Sequence, residues 1–533
     1  VGDYLTLLHL GSSPEEILRH IDLEKAPDPC ADVDAAIRTE DGRSRFLIVE
    51  NEEELRSVLD SPLELWRVFL HPSQRRLVEK DWNGPVRVLG GAGTGKTVAA
   101  VHRACRLARA IPPGSEEKVL VTTFTVNLAS DLAANLARIC PQDVMERIEV
   151  VNLDRWVYRF LVSHGRTPNF LFDDAKRREF WEDSIARAPA PAGPGFSEAF
   201  YREEWERIVL GEEICSEEEY LCADRRGRGV ALDERKRRAV WPVFARFREL
   251  LTEHGFCEPD DGMREAGKIL EGGGERLHYR SIVVDEAQDL GPSAFRLLRA
   301  MVPEGPNDLF ITGDPHQRIY RHPVVLSRCG ISVAGRSCKL LVNYRTTEET
   351  RRWAVSLLDG RSLDDLEGGE DDLKGYRSLL RGQEPRLEGF GSFDEEADFL
   401  VAFLKEIESK GERLKDVCLV VRSRALLERY REALAGRGLP LVKLEAGGPE
   451  NRDEDGVRTA TMHRVKGLEF DRMILAGVCE DIVPPKSWRE HEDPPMMNEL
   501  ETRERSLLHV AATRARTHIL VTWHGEPSPL LGL

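Results

Sequence analysis

The chain has 533 residues and 41% hydrophobic content, enough for three or four domains with buried cores of their own. It carries 76 Lys and Arg against 93 Asp and Glu, a formal charge of −17, which excludes a uniformly basic nucleic-acid coat but not a local basic channel. Apolar runs stay below the roughly 18 residues of a membrane span, and ten singly placed cysteines without a CxxC pair leave zinc ribbons and tight iron–sulfur spacings unsupported, as expected of reduced thiols in a cytoplasmic protein.

Residues 1–66 are acidic and helical in pattern. "SSPEEILRHI" has a Ser cap, a Pro in the first turn and early glutamates, the signature of a helix start. "VENEEELRSVLDSPLELWRVFL" continues as amphipathic helix. This N-terminal helical extension holds no recognisable chemistry, and packing or binding a protein partner is its expected role. The chain begins at Val1 rather than Met, as a numbering that starts inside a longer protein would.

From Val86 onward short apolar strands alternate with helices: "VRVLG", "KVLVTTF", "SIVVDEA", "LFITGD", "VCLVVRS", "RMILAGV" and "HILVTW". Such alternation implies parallel sheets covered on both faces. The strands fall into two groups, which predicts an α/β fold of two doubly wound parallel-sheet domains with a cleft between them. Inside the first group, between "KVLVTTF" and "SIVVDEA", lies a helical, aromatic and charged region, expected as an insertion over 157–257. The first α/β domain is then expected at 67–156 and 258–336, and the second at 337–533.

Gly90-Gly91-Ala92-Gly93-Thr94-Gly95-Lys96-Thr97 fits GxxxxGK[ST] at every fixed position, after an apolar strand and before a helix. Its glycines let backbone N–H groups turn toward phosphate oxygens. Lys96 supplies a cation for the β and γ phosphates, Thr97 a hydroxyl for Mg²⁺, and the following helix points its positive end at the anion. ATP and Mg²⁺ are the implied ligands. "SIVVDEAQDL" ends a strand in Asp285-Glu286, where Asp285 suits the metal and Glu286 the general base for the attacking water. An acidic pair after a strand is ordinary by itself; together with a phosphate loop it reads as the other half of a nucleotide site.

"DEAQD" with "GDPHQRIY" resembles the superfamily 1 helicases of the UvrD/Rep/PcrA type, and further blocks follow in that family's order. "LHPSQRRLV" resembles its Q motif, "VTTFTVNLASDL" motif Ia, "NYRTT" motif IV, "TMHRVKGLEFDRMIL" motif V and "LLHVAATRAR" motif VI. The resemblance starts near residue 68 and runs to the end of the chain. It implies two RecA-like domains and assigns roles. Gln74 would read adenine and Tyr344 would stack on it. Glu469 would hold the ribose. Gln317 would touch the γ-phosphate or its water. Arg345 and Arg514 would reach that phosphate from the second domain, which suits the planar, always charged guanidinium.

A motor on single strands needs cations for the backbone and flat side chains for the bases. Phe124, Tyr320 and His322 are the stacking candidates, and Thr125, Asn127 and His463 the candidates for phosphate contact. Where the family typically has "YRWRGA" this chain has "YRHPVV", which replaces a stacking Trp by the smaller His322. Arg225, Arg226, Arg228 and Lys236, in "ADRRGRGVALDERKRRAVW", are candidates for tracking duplex. The short span between Arg345 and His463 implies that the family's large second insertion, 2B, is absent or reduced to Ala446–Gly456. The resemblance thus implies an ATP-dependent 3′ to 5′ single-stranded DNA translocase and helicase in repair or recombination. It would be a monomer, act at single-strand and junction DNA, and use ATP to close and open the cleft. The alternative is an ATP-driven nucleoprotein remodeller or regulatory ATPase with little strand separation.

Overall fold

The computed structural model describes residues 70 and 72–533, apart from 189–195, 226–230, 274–276, 320–323, 362–364, 370–374, 445–453 and 487–493. The chain divides into two units, Val1–Leu77 and Val78–Leu533. Of the first, Leu70 and the start of the helix Pro72–Glu79 are described, and Gln74 is buried there.

Two parallel six-stranded sheets organise the second unit. The first holds β1 (Val86–Gly90), β2 (Lys118–Thr122), β3 (Ile148–Val150), β4 (Tyr279–Val284), β5 (Leu309–Gly313) and β6 (Ser337–Leu340) in the order β3-β2-β4-β5-β1-β6. β1 and β5 are buried along their whole length, which explains why apolar residues dominate them; the buried Arg87 of β1 is met by Ser337 and Asp365. β6 pairs with β1 from Arg87–Ser337 to Gly90–Leu340, so this sheet runs past residue 336. β7 (Val342–Thr347) and β8 (Arg377–Leu380) then form a small parallel pair.

The second sheet holds β9 (Arg386–Phe390), β10 (Val417–Val421), β11 (Leu441–Lys443), β12 (Val457–Thr461), β13 (Phe470–Leu475) and β14 (Ala515–His524), in the order β11-β12-β10-β13-β14-β9. Helices Phe393–Ser409 and Arg424–Ala435 supply Leu400, Leu404, Leu427 and Leu434 to one side of its core. Helix Pro494–Ala512 supplies Leu507, Leu508 and Ala511 to another. The chain is therefore an α/β protein with parallel sheets in two domains.

Between β3 and β4 the described residues are helical. Helices Leu153–Ser163 and Pro259–Glu271 pack into the first sheet's core through Trp156, Val157, Phe160, Met263 and Ala266. The helices between them share a separate aromatic core. There Trp181 stacks on Phe247 at 4.0 Å between ring centroids and meets Trp205 edge-on at 5.9 Å. The excursion leaves and returns at one point: Leu171 N–H donates to Cys257 O at 2.9 Å, and Cys257 N–H to Asn169 O at 2.9 Å. Because this lobe has its own core, Trp181→Ala should cost about 3–5 kcal/mol locally. Calorimetry should then show a new low-temperature transition ahead of the main one.

Candidate nucleotide and nucleic-acid site

The phosphate loop lies at the carboxyl end of β1, with the ends of β5 and, one strand further, β4 to one side of it, the crevice where doubly wound sheets bind ligands. Gly93 has φ of 72° and packs against Asn343; a Cβ there would collide with the Asn343 amide oxygen. Thr94 Oγ1 donates to Gly91 O at 2.8 Å and holds the curl. Lys96 Nζ folds over the loop, donating to Gly90 O at 2.6 Å and Gly91 O at 2.9 Å, and lies 3.4 Å from Asp314 Oδ2.

Asp285 follows β4. Its Oδ2 accepts from Thr97 Oγ1 at 2.8 Å and its Oδ1 from Thr312 Oγ1 at 2.6 Å. Burial, with the neighbouring Glu286 charge, pushes its carboxyl up to about 6. Glu286 sits in the left-handed region at φ 53°, a conformation a non-glycine residue holds only when its surroundings enforce it. Its carboxylate accepts from Gln288 Nε2, and Gln288 Oε1 accepts the Asp314 N–H at 2.9 Å.

Asp314, at the end of β5, is fully buried. It accepts from Gln317 Nε2 at 2.7 Å and faces His316 Nδ1 at 3.0 Å. Burial alone would raise its carboxyl; Lys96 and His316 overcome that and hold it far below the usual carboxylate range. Gln317 Oε1 in turn accepts from Arg514 Nη2 at 2.7 Å. Arg514 is buried just before β14, so the chain Lys96–Asp314–Gln317–Arg514 runs from the first sheet to the second. Two further contacts join the same parts: Tyr344 N–H donates to Gly93 O at 3.1 Å, and Lys466 Nζ donates to Asp289 Oδ1 at 2.8 Å and Gln317 O at 2.6 Å.

The structure thus gathers Lys96, Thr97, Asp285, Glu286, Gln317, Tyr344 and Arg514 around one loop. Arg345 pairs with Glu469 at 2.8 Å, both part-exposed. Gln74 belongs to the other unit. Sequence reading missed Asp314, Gln288 and Lys466. Asp314 carried the signal used for Asp285, a carboxylate at the end of an apolar strand; Gln288 and Lys466 carried only their places within "DEAQD" and "TMHRVKGLEFDRMIL".

The nucleic-acid candidates are less uniform. Phe124 is half-buried and packs against the first sheet's core. Thr125 caps helix Val126–Ile139 by accepting from Leu128 N at 3.3 Å, and Asn127 lies in the first turn. His463 is half-buried; burial, aided by the Arg422 charge, lowers its imidazole to about 4, so the ring is neutral. Tyr320 and His322 lie outside the described residues, as does most of Ala446–Gly456. Of the basic cluster, Arg226 and Arg228 also lie outside them, Lys236 is exposed, and Arg225, expected to face nucleic acid, instead faces the protein interior. Arg225 is buried in a bidentate pair with Glu204, at 2.5 and 2.9 Å, because that fully buried carboxylate needs a cation. It is a structural residue of the helical lobe.

Two family models match the chain. The UvrD/REP helicase N-terminal domain matches residues 70–323 and the UvrD-like helicase C-terminal domain residues 439–526, together more than half of it. Among curated proteins it is 24% identical over 472 residues to a "Probable DNA helicase" of Mycoplasma pneumoniae, covering 85% of this chain and 83% of that one. It is 23% identical over 568 residues to the ATP-dependent DNA helicase UvrD2 of Mycobacterium tuberculosis, covering 84% and 77%. It is 23% identical over 537 residues to DNA helicase IV of Escherichia coli, covering 91% and 72%.

Arg225→Ala, which leaves Glu204 buried without its cation, should cost roughly 3–5 kcal/mol in urea unfolding. The slope of DNA affinity against salt should not change, whereas loss of a phosphate contact would reduce it by about one.

Proposed function

The chain belongs to the UvrD/Rep family of superfamily 1 ATP-dependent DNA helicases, and from that premise we propose that it translocates 3′ to 5′ on single-stranded DNA by closing and opening the junction between its two α/β domains. The observation that carries this reading is the chain Lys96–Asp314–Gln317–Arg514, which links the phosphate loop to the second sheet through side chains alone.

In this reading Lys96 exchanges its loop carbonyls and Asp314 for the β and γ phosphates of ATP. A phosphate adds charge where those carbonyls offer only dipoles. Glu286, held by Gln288 and its backbone turn, takes the proton of the attacking water. Arg514 moves from Gln317 onto the γ-phosphate, and Arg345 leaves Glu469 to join it, stabilising the charge that spreads over the phosphoryl oxygens. Glu469 is then free for the ribose and Tyr344 for the adenine, with Gln74 at the adenine edge. Thr97 and Asp285, already in contact, fit a Mg²⁺ ion; when bound it neutralises phosphate charge. Loss of the γ-phosphate removes what the two arginines share with the loop, so the domains part.

The strand is proposed to cross Phe124, Thr125, Asn127, Tyr320, His322 and His463. The proposed domains are 67–156 with 258–336, the helical insertion 157–257, and 337–533, with two shifts: helix Leu153–Ser163 and β6 (Ser337–Leu340) go with the first sheet; β7 to β12 fill most of the span in which a second insertion would lie, which supports its loss. Repair or recombination, a monomeric state, a cytoplasmic location and a protein partner for residues 1–66 complete the proposal.

ATP turnover measured with and without single-stranded DNA and RNA, then strand separation on 3′- and 5′-tailed duplexes, tests it. DNA should stimulate turnover, and 3′-tailed duplexes should be the ones opened. Turnover indifferent to any nucleic acid would sink the motor, and DNA-stimulated turnover without strand separation would favour a nucleoprotein remodeller. Lys96→Ala and Glu286→Gln should each abolish turnover, by roughly a hundredfold or more, with single-strand binding retained.

Acidity gives a second check. Asp285 and Asp289 both lie near 6, above the ordinary aspartate value. Their raised values stabilise the fold below about pH 4, and that contribution is lost as pH rises through about 6. Mg²⁺ needs the ionised Asp285, so Mg²⁺–nucleotide should raise the melting temperature more at pH 7.5 than at pH 5.5.

A further inference from the structure

Tyr376 lies in none of the sequence blocks that mark the site. It is nonetheless buried, and its ring leans on the phosphate loop: a Cβ at Gly91 would lie 3.2 Å from Tyr376 Cε1 and 3.3 Å from its Cδ1. The ring also meets His316 edge-on, with 6.1 Å between centroids. Tyr376 therefore bridges the phosphate loop and the turn that carries Asp314.

Gly91 is where the loop's own contacts converge. Its carbonyl accepts from Lys96 Nζ at 2.9 Å and from Thr94 Oγ1 at 2.8 Å. A shift of Gly91 moves that carbonyl, and with it the ammonium meant for the phosphates. The neighbouring glycines lean on the same stretch of chain. A Cβ at Gly90 would lie 3.1 Å from Leu340 Cβ, and one at Gly93 would lie 2.9 Å from Arg345 Cβ. A run of glycines has no side chains to hold its own shape, so these outside contacts hold it.

The backbone that bears the ring is itself fixed. Gly375, at φ of 83°, turns the chain toward β8. Arg377 N–H donates to Leu341 O at 3.0 Å, and Ser378 N–H to Glu348 Oε2 at 2.7 Å. Glu348 begins the helix Glu348–Ser356, whose Ala354 lies in the second sheet's core.

We infer that Tyr376 is a positioning residue for the nucleotide: its ring holds Gly91, and so the phosphate loop, in the curl that receives the phosphates. This rests on the nucleotide-site reading above. Ordering a glycine-rich loop is costly, and a loop ordered beforehand spares binding that cost. The ring acts through Gly91 and not on the reacting phosphate. Its loss weakens ground state and transition state alike, which raises KM and leaves kcat in place.

The experiment uses the full chain with Tyr376→Ala, Tyr376→Leu and Tyr376→Phe. ATP turnover is measured at saturating oligo(dT), ADP affinity by isothermal titration calorimetry, and folding by thermal melting. Tyr376→Ala should raise KM for ATP and Kd for ADP roughly tenfold, with kcat within about threefold of wild type. Tyr376→Leu, which keeps apolar bulk should the alanine variant not fold, should raise both by a smaller factor. Tyr376→Phe keeps the ring and should match wild type in both. A lowered melting temperature with KM and ADP affinity unchanged makes Tyr376 a core residue only and overturns the inference. So does a fall in kcat at constant KM, or a phenylalanine variant as impaired as the alanine one; each leaves the nucleotide site standing. A wild-type chain that neither binds ADP nor turns over ATP overturns both.

Discussion

The site depends on one buried negative charge. Asp314 has no exposed surface, and a carboxylate in that position is tolerable only with compensating donors. It recruits Lys96 from the phosphate loop, His316 from its own turn and Gln317 from the segment beyond. Those three demands fix the spacing of "GDPHQ": the acid ends the strand, and the groups that serve it follow within one short helical turn. Gln317 is left with its amide oxygen facing the second sheet, where Arg514 meets it. This contact between the domains thus follows from satisfying one desolvated carboxylate, and those of Tyr344 with Gly93 and Lys466 with Asp289 stand beside it.

Much of this was legible in the sequence because it is local. The phosphate loop, the Asp285-Glu286 pair and the buried strands β1, β4, β5, β10 and β13 announce themselves through glycine spacing and short aliphatic clusters such as "IVV", "LFI", "VCLVV" and "MIL". The sheet edges were not legible. β3 is three residues long, and β9, "RLEGF", mixes charge and glycine with its apolar positions because an edge strand packs on fewer neighbours. β12, "VRTAT", lies inside the second sheet yet lacks a long aliphatic run, because Arg458 turns back to the carbonyls of Glu454 and Gly456.

Side-chain roles divide the same way. Lys96 and Thr97 could be named because the chemistry of a phosphate loop demands those residue types at that spacing. Lys466 could not, since its partners lie 177 and 149 positions away. Arg225 misled for the converse reason: a basic run reads as a solvated or phosphate-facing surface until the fold reveals Glu204 beneath it. Thr125 fits its helix cap as well as it fits a phosphate, and local sequence does not separate the two uses.

The pairing of Asn169 and Leu171 with Cys257 has a meaning beyond geometry. An excursion whose two ends are clamped together and whose core is self-contained is an appendix to the chain rather than part of its path. With its ends held side by side, the lobe adds no displacement to the path of the chain between β3 and β4. Evolution can then lengthen, shorten or replace the lobe without re-registering any strand beside the phosphate loop. What the lobe contacts is free to diverge on one lineage after another, while the engine beneath it stays the same.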